Sequence, residues 1–97
     1  MYKLVDKETN NYSFGTFDNI PELLKQALDT ALQELEDKSD LADEIGLYEV
    51  LTSDSRYNLY YYSGCIYMSE TVYNDKDIAE DIDIARIDIS TKEVKIF

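Results

Sequence analysis

The stretch that decides the fold is residues 19–46, which read NIPELLKQALDTALQELEDKSDLADEIG. Asn19 and Glu22 stand three positions apart, as in a capping box, and Pro21 is tolerated in a first helical turn. The apolar residues that follow recur at intervals of three and four, which places them on one face of a helix. They are Ile20, Leu23, Leu24, Ala27, Leu28, Ala31, Leu32 and Leu35. The pattern predicts one long amphipathic helix that begins after Asn19.

The sequence leaves open where this helix ends. Leu41, Ala42 and Ile45 stay in phase with the apolar face, and Gly46 is a typical residue just past a helix. The helix either continues unbroken to Ile45, or it breaks at Ser39–Asp40 and restarts. Even the shorter version would span about 27–30 Å.

The rest of the chain favours β-strands. Short runs rich in Tyr, Val and Ile, separated by polar turns, predict strands at 2–5, 12–17, 47–51, 57–62, 65–73 and 94–97. Ser63-Gly64 separates two of these runs, as in a tight hairpin. With the helix, they predict an α+β fold, in which an antiparallel sheet carries one long helix packed on one face. The chain length suits a single domain over residues 1–97.

Residues 78–89 allow two interpretations. Isoleucine first alternates with aspartate and then alternates in the opposite phase, so one continuous strand would need a bulge near Ala85-Arg86. A helix would also fit the spacing of Ile78, Ile82, Ala85 and Ile89. The segment is therefore either a bulged strand or partly helical.

Composition argues against catalysis. The 97 residues include 21 acidic and 9 basic residues and no histidine, for a net charge of −12. The usual general base near neutral pH is missing, and the single Cys65 excludes both an internal disulfide and a Cys/His zinc site. The chain has neither a signal-peptide core nor an apolar run near the ~20 residues of a membrane span. We expect a cytosolic, non-enzymatic protein without a cofactor.

The aspartates around residue 80 do not fit a calcium loop. Counting an EF-hand loop from Asp75 places Glu80 where glycine is needed and Arg86 where the bidentate glutamate belongs. We therefore predict no metal site.

The acidic residues are concentrated in two windows, 34–49 and 70–88, which together hold 14 of the 21. On a helical wheel, the acidic residues of the long helix form a row opposite its apolar face. This row could be a solvated surface that keeps the protein soluble, or a surface for a basic partner. The residues predicted to contact a partner are Glu22, Asp29, Glu36, Asp37, Asp40 and Glu44 from the helix, and Asp75, Asp77, Glu80, Asp81 and Asp83 from the second window.

In its composition and its two acidic windows, the chain resembles the small phage proteins that block bacterial defence nucleases. These are the anti-CRISPR and anti-restriction proteins, several of which mimic DNA. The resemblance rests on residues 34–49 and 70–88 and on no sequence motif. It implies an inhibitor in the bacterial host cytosol whose carboxylates bind the Arg/Lys-rich channel of a CRISPR effector or similar nuclease. Such a protein would not itself bind nucleic acid.

Two other interpretations remain. An immunity or antitoxin-type protein, similar in size and acidity, would neutralise a basic toxin. A structural or adaptor protein would bind through its tyrosines, because Tyr60 and Tyr62 face one side of a strand and Tyr61 the other, so one side presents tyrosine outside the core. Binding through charge weakens as salt rises, whereas binding through tyrosines survives it.

Overall fold

The computed structural model describes residues 1–9, 12–35 and 37–97. Within these ranges the chain forms two helices and seven strands. In chain order they are β1 (Tyr2–Asp6), β2 (Tyr12–Phe17), α1 (Ile20–Glu34), a 3₁₀ turn (Lys38–Asp40), α2 (Leu41–Gly46), β3 (Tyr48–Leu51), β4 (Arg56–Tyr62), β5 (Cys65–Tyr73), β6 (Ala79–Asp88) and β7 (Val94–Ile96). The six strands predicted from the sequence are all present, each within one residue of its predicted bounds.

The seven strands form one antiparallel sheet that is curved into a half-barrel. Its order is β2-β1-β3-β4-β5-β6-β7. Strands that follow each other in the chain are neighbours in the sheet, except that β1 lies between β2 and β3. The two helices lie in the connection between β2 and β3. The predicted α+β class, with helix packed on an antiparallel sheet, is confirmed.

The prediction of one long helix is wrong. The helix α1 ends at Glu34, and the next residue, Leu35, is extended, with φ −95° and ψ 133°. The Ser39 amide then donates a hydrogen bond of 3.0 Å to the Asp37 carboxylate. Short polar side chains of this kind compete for backbone groups and favour turns over helix interiors. The alternative of a break and restart is nearer the structure, although the break begins before Ser39.

Both helices contribute to the same core. The helix α1 packs against β1, β2 and β6, and α2 packs against β3 and β4. This explains why the apolar phase continued across the break, since Leu41 and Ile45 of α2 are buried beside the α1 leucines. The Asn19 side chain caps α1, as predicted, by accepting a 2.9 Å hydrogen bond from the Glu22 amide. No helix in the described ranges is both long enough and apolar enough to cross a membrane.

Residues 79–88 form a strand with a bulge, so the helical interpretation of this segment is wrong. Met68 of β5 pairs with Ala85, whereas its neighbour Ser69 pairs with Asp83. Ile84 is the extra residue on β6, one position before the predicted bulge. The bulge reverses the alternation of the strand, which accounts for the change of phase in the sequence.

Candidate functional site

The distal part of the β5–β6 hairpin, residues 70–83, is the most acidic element of the fold, and we call it the acidic arm. It holds six acidic residues and one lysine, for a net charge of −5. They are Glu70, Asp75, Lys76, Asp77, Glu80, Asp81 and Asp83. Every residue from 73 to 83 is exposed. The five residues predicted in the second acidic window therefore all lie on one exposed hairpin.

A hydrogen-bonded turn closes the acidic arm. The Asn74 carboxamide oxygen accepts hydrogen bonds from the amides of Lys76 (2.8 Å) and Ile78 (3.2 Å). The Asn74 amide in turn donates to the Ile78 carbonyl at 3.2 Å. Asp77 takes up a left-handed conformation, with φ 58°, which aspartate tolerates better than most residues. The turn thus holds Asp75 and Asp77 at the tip of the arm.

Two carboxylates of the acidic arm are held in place by hydroxyl groups of neighbouring strands. The Thr71 hydroxyl donates to Asp81 at 2.7 Å, and the Tyr60 hydroxyl donates to Asp83 at 2.5 Å. Burial, and then the bond to Asp83, raises the pKa of Tyr60 above its ordinary value, so the phenol keeps its proton. The two carboxylates lie on the sheet face away from the helices, about 7 Å apart along the strand.

No basic side chain neutralises the acidic arm within the part of the chain that the structure describes. The ion pairs found there within 4.0 Å join Arg56 to Glu49 (3.1 Å) and Lys92 to Asp29 (3.5 Å). Neither includes a carboxylate of the arm. The arm's negative charge is therefore available to a cationic partner.

The acidic row predicted on the long helix is not continuous, because α1 ends at Glu34. Glu22 and Asp29 lie on the exposed face of α1, and Asp29 is paired with Lys92. Asp37 and Asp40 are exposed but lie beyond the helix, around the 3₁₀ turn. Hydrogen bonds from Ser39 lower the pKa of Asp37. The remaining member of the row, residue 36, is a glutamate (Glu36) that falls outside the described residues.

Glu44 was predicted to extend that row, but it is half-buried and contacts Tyr48. The Tyr48 hydroxyl oxygen lies 3.2 Å from Glu44 Oε1 and 3.3 Å from Glu34 Oε2. The bond to Glu34, followed by burial, raises the pKa of Glu44 above its ordinary value, and the charges of Glu34 and Asp6 add to this. Glu44 therefore joins the end of α1 to α2 through Tyr48. The sequence contains no signal for the contact with Glu34, which lies 14 positions before Tyr48 in the chain.

An exposed aromatic surface adjoins the acidic arm on the same side of the sheet, and we call it the aromatic face. The rings of Tyr60 and Tyr67 stack, with centroids 5.3 Å apart and an interplanar angle of 13°. Tyr67 also contacts Tyr62 (6.5 Å) and Phe97 (6.4 Å). Tyr62 and Phe97 are 67% and 55% exposed. The prediction that one sheet side presents tyrosine outside the helix-covered core is confirmed.

The two ends of the aromatic face differ in charge. Arg86 and Lys95 lie over the Phe97 ring, each 5.9 Å from its centroid. At the other end, Tyr60 is bonded to Asp83 of the acidic arm. A partner that covered both surfaces would meet stacked rings in the middle and carboxylates at the arm.

No family model, no curated protein and no solved structure matches this chain. Over the described ranges, no group of three or more His, Cys, Asp or Glu side chains is arranged to hold a metal ion. The acidic arm and the aromatic face are the two surfaces from which a function can be argued.

Proposed function

We propose that the chain is a non-enzymatic acidic inhibitor that binds the basic nucleic-acid-binding surface of a nuclease, such as a CRISPR effector, in the cytosol of a bacterial host. The observation that carries this proposal is the acidic arm, whose carboxylates meet no Lys or Arg within 4.0 Å in the described part of the chain. Like charges held on one element repel each other and reduce stability. A partner rich in Lys and Arg would relieve that repulsion and would be attracted over a distance.

The charge spacing on β6 supports a nucleic-acid-like role. Successive side chains of a strand point to opposite faces, so carboxylates on one face of β6 are two residues, or about 7 Å, apart. Asp81 and Asp83 share the face away from the helices, and Glu80 adds a carboxylate on the opposite face of the same strand. Nucleic-acid-binding grooves read rows of negative charge with Lys and Arg. A basic groove that binds a phosphate backbone could therefore accept this strand.

The helical acidic residues make a smaller contribution under this proposal. Asp29 already has a cationic neighbour in Lys92, and Glu44 is turned toward Tyr48. Glu22, Asp37 and Asp40 add to the long-range negative field, which speeds encounter with a basic partner. The principal contact is the acidic arm.

A second candidate function is that of an adaptor protein which binds through the aromatic face. The observation in its favour is the exposure of Tyr62 and Phe97 beside the Tyr60–Tyr67 stack. Aromatic residues are enriched at the energetic centres of interfaces. Binding of this kind is driven by apolar burial and would persist at high salt.

Affinity capture from a bacterial lysate that contains CRISPR effectors tests the proposal. Bound proteins are eluted with rising salt, identified by mass spectrometry and then challenged with duplex DNA. We compare the wild-type chain with two variants that each reverse four exposed acidic residues to lysine. The arm variant changes Asp75, Glu80, Asp81 and Asp83, and the matched control changes Glu8, Asp18, Asp43 and Glu93.

We expect salt to release a basic nuclease, duplex DNA to displace the chain from it, and the arm variant alone to lose the interaction. Equal retention by the arm variant and the control would overturn the proposal. If Tyr62→Ala and Phe97→Ala abolish a salt-resistant interaction that the arm variant keeps, the adaptor function is correct instead.

A further inference from the structure

The strand β6 has an open edge along the acidic arm. Its partner β7 pairs only with Ala85–Ile87, and the Phe97 amide bonds to the Ile84 carbonyl at 3.0 Å. Residues 79–83 pair with β5 on one side. On the other side, no strand of the described ranges pairs with them.

The hydrogen bonds of the turn show which backbone groups lie along this edge. Ile78 directs its carbonyl toward β5, where it accepts from the Asn74 amide. Residues of an antiparallel strand direct their amides and carbonyls alternately to the two neighbours. Ala79, Asp81 and Asp83 therefore direct their backbone amides and carbonyls to the open side. The backbone groups of Glu80 and Ile82 point to β5 instead. An open strand edge of this kind is a template for another extended chain.

We propose that this edge binds an extended basic segment of the partner protein by strand addition. The added strand would lie in line with β7 and carry Lys or Arg at alternate positions, opposite Asp81 and Asp83. An apolar residue between them would cover Ile82, which is 47% exposed on the other face of the arm. This inference rests on the proposed function, because it takes the partner to be basic.

Charge selects this occupant over a second copy of the chain. Opposite charges directly across two strands stabilise the pairing, whereas like charges destabilise it. Two copies paired along this edge would place acidic side chains near one another. The hydroxyls of Thr71 and Tyr60 already hold Asp81 and Asp83, so little side-chain freedom is lost when a cation binds.

Three synthetic ten-residue peptides test the inference. The first alternates lysine with valine, and the second has glutamate in place of lysine. The third has as many lysines as the first, but proline takes the two lysine positions that would pair with Asp81 and Asp83, and the displaced lysines take the neighbouring valine positions. Proline at a position paired with Asp81 or Asp83 removes a backbone donor that would bond to β6. Binding is measured by calorimetric titration, and hydrogen exchange of the protein amides is followed by NMR.

We expect the lysine–valine peptide to bind, the glutamate peptide not to bind, and the proline peptide to bind at least about tenfold more weakly. The amides of Ala79, Asp81 and Asp83 should gain protection from exchange. Ala79→Pro removes one outward amide without changing the charge or the bonds to β5, and it should weaken binding by about tenfold. Circular dichroism checks that this variant is folded, and the proline peptide gives the same test on the wild-type chain.

The outcomes distinguish strand addition at the open edge of β6 from binding by charge alone. If the proline peptide binds as tightly as the lysine–valine peptide, or if neither binds, strand addition is wrong. If the proline peptide binds tightly but the double variant Asp81→Lys/Asp83→Lys does not bind it, charge alone operates and the proposed function stands. If the double variant binds both peptides as tightly as the wild type does, the inference fails together with the acidic-arm proposal.

Discussion

The acidic arm and the acidic residues of the helical segment, positions 22–44, differ in how the fold uses their charges. In the helical segment, Asp29 pairs with Lys92, and Glu44 is held beside Glu34 by Tyr48. In the acidic arm, Asp81 and Asp83 accept hydrogen bonds from neutral hydroxyls, and no Lys or Arg of the described residues lies within 4.0 Å of them. Two regions of similar composition therefore have different roles, one partly internal and the other directed outward.

The comparison predicts that the helical region stabilises the fold and that the acidic arm contributes little. Leu28 of α1 is fully buried, so Leu28→Ala should lower the free energy of unfolding by about 2–5 kcal/mol. Val72 of the arm is only half-buried, and Val72→Ala should cost less than about 1 kcal/mol. Urea denaturation of both variants measures the difference. Equal losses would mean that the arm is part of the cooperative core.

Removal of the tyrosine hydroxyl that holds the acidic arm should have an intermediate effect. Tyr60→Phe deletes the bond to Asp83 and should lower the free energy of unfolding by about 0.5–1.5 kcal/mol. Because Asp83 would then be less ordered, binding of a basic partner should also weaken. Tyr62→Phe is the matched control, since no hydrogen bond of the Tyr62 hydroxyl is found in the described structure. Equal behaviour of the two variants would contradict a positioning role for Tyr60.

Glu44→Gln should stabilise the protein near neutral pH. The pKa of Glu44 is raised in the folded state, so the protonated form of this carboxyl favours folding. That stabilisation is fully present below the pKa of Glu44 in the unfolded chain, and it is lost as pH rises through the pKa of Glu44 in the folded protein. A neutral side chain removes the repulsion from Glu34, with an expected gain of about 0.5–1 kcal/mol at pH 7. The pH dependence of unfolding above about pH 4.5 should flatten.

Thermal melts from pH 4 to pH 8 check this expectation. Asp43→Asn, an exposed change on the same short helix, is the control and should leave the melting profile unaltered. If the melting temperature of Glu44→Gln changes with pH in parallel with that of the wild type, the Glu34–Glu44 contact does not govern how stability depends on pH.

The smallest effect is expected at the exposed ion pair of the helical segment. Asp29→Asn breaks the contact with Lys92. The side chains of Asp29 and Lys92 are both about half exposed, so the free energy of unfolding should change by no more than about 0.5 kcal/mol. The substitution should also leave partner binding nearly unchanged. A loss of binding as large as that of the arm variant would mean that α1 belongs to the interface.

Much of the fold follows from local sequence signals. Six of the seven strands were predicted within one residue because alternation and turn residues act over a few positions, whereas the segment that forms β6 was left open between a bulged strand and a helix. The length of the helix was not predicted correctly. Leu41 and Ile45 keep the apolar phase of α1, although they belong to a second helix that packs on the same core. Periodicity reports which residues face the core but does not reveal a break that leaves the phase intact.

The candidate site was predicted only in part. The clustering of acidic residues near residue 80 is visible in the sequence, and the structure places all of those predicted residues on one hairpin. Two features depend on tertiary pairing and carry no local signal. One is the contact of Tyr48 with Glu34, which are 14 positions apart, and the other is the bond from Tyr60 to Asp83, which are 23 positions apart.

Under the proposed function, the acidic arm occupies the nucleic-acid-binding surface of a nuclease. The most direct measurement is competition between this chain and duplex DNA for the nuclease recovered by capture, carried out at several salt concentrations with the wild type, the arm variant and the matched control. We expect the wild type and the control to displace DNA, the displacement to weaken as salt rises, and the arm variant not to displace DNA. Simultaneous binding of DNA and the chain, or displacement that the arm variant retains, would contradict the proposed function.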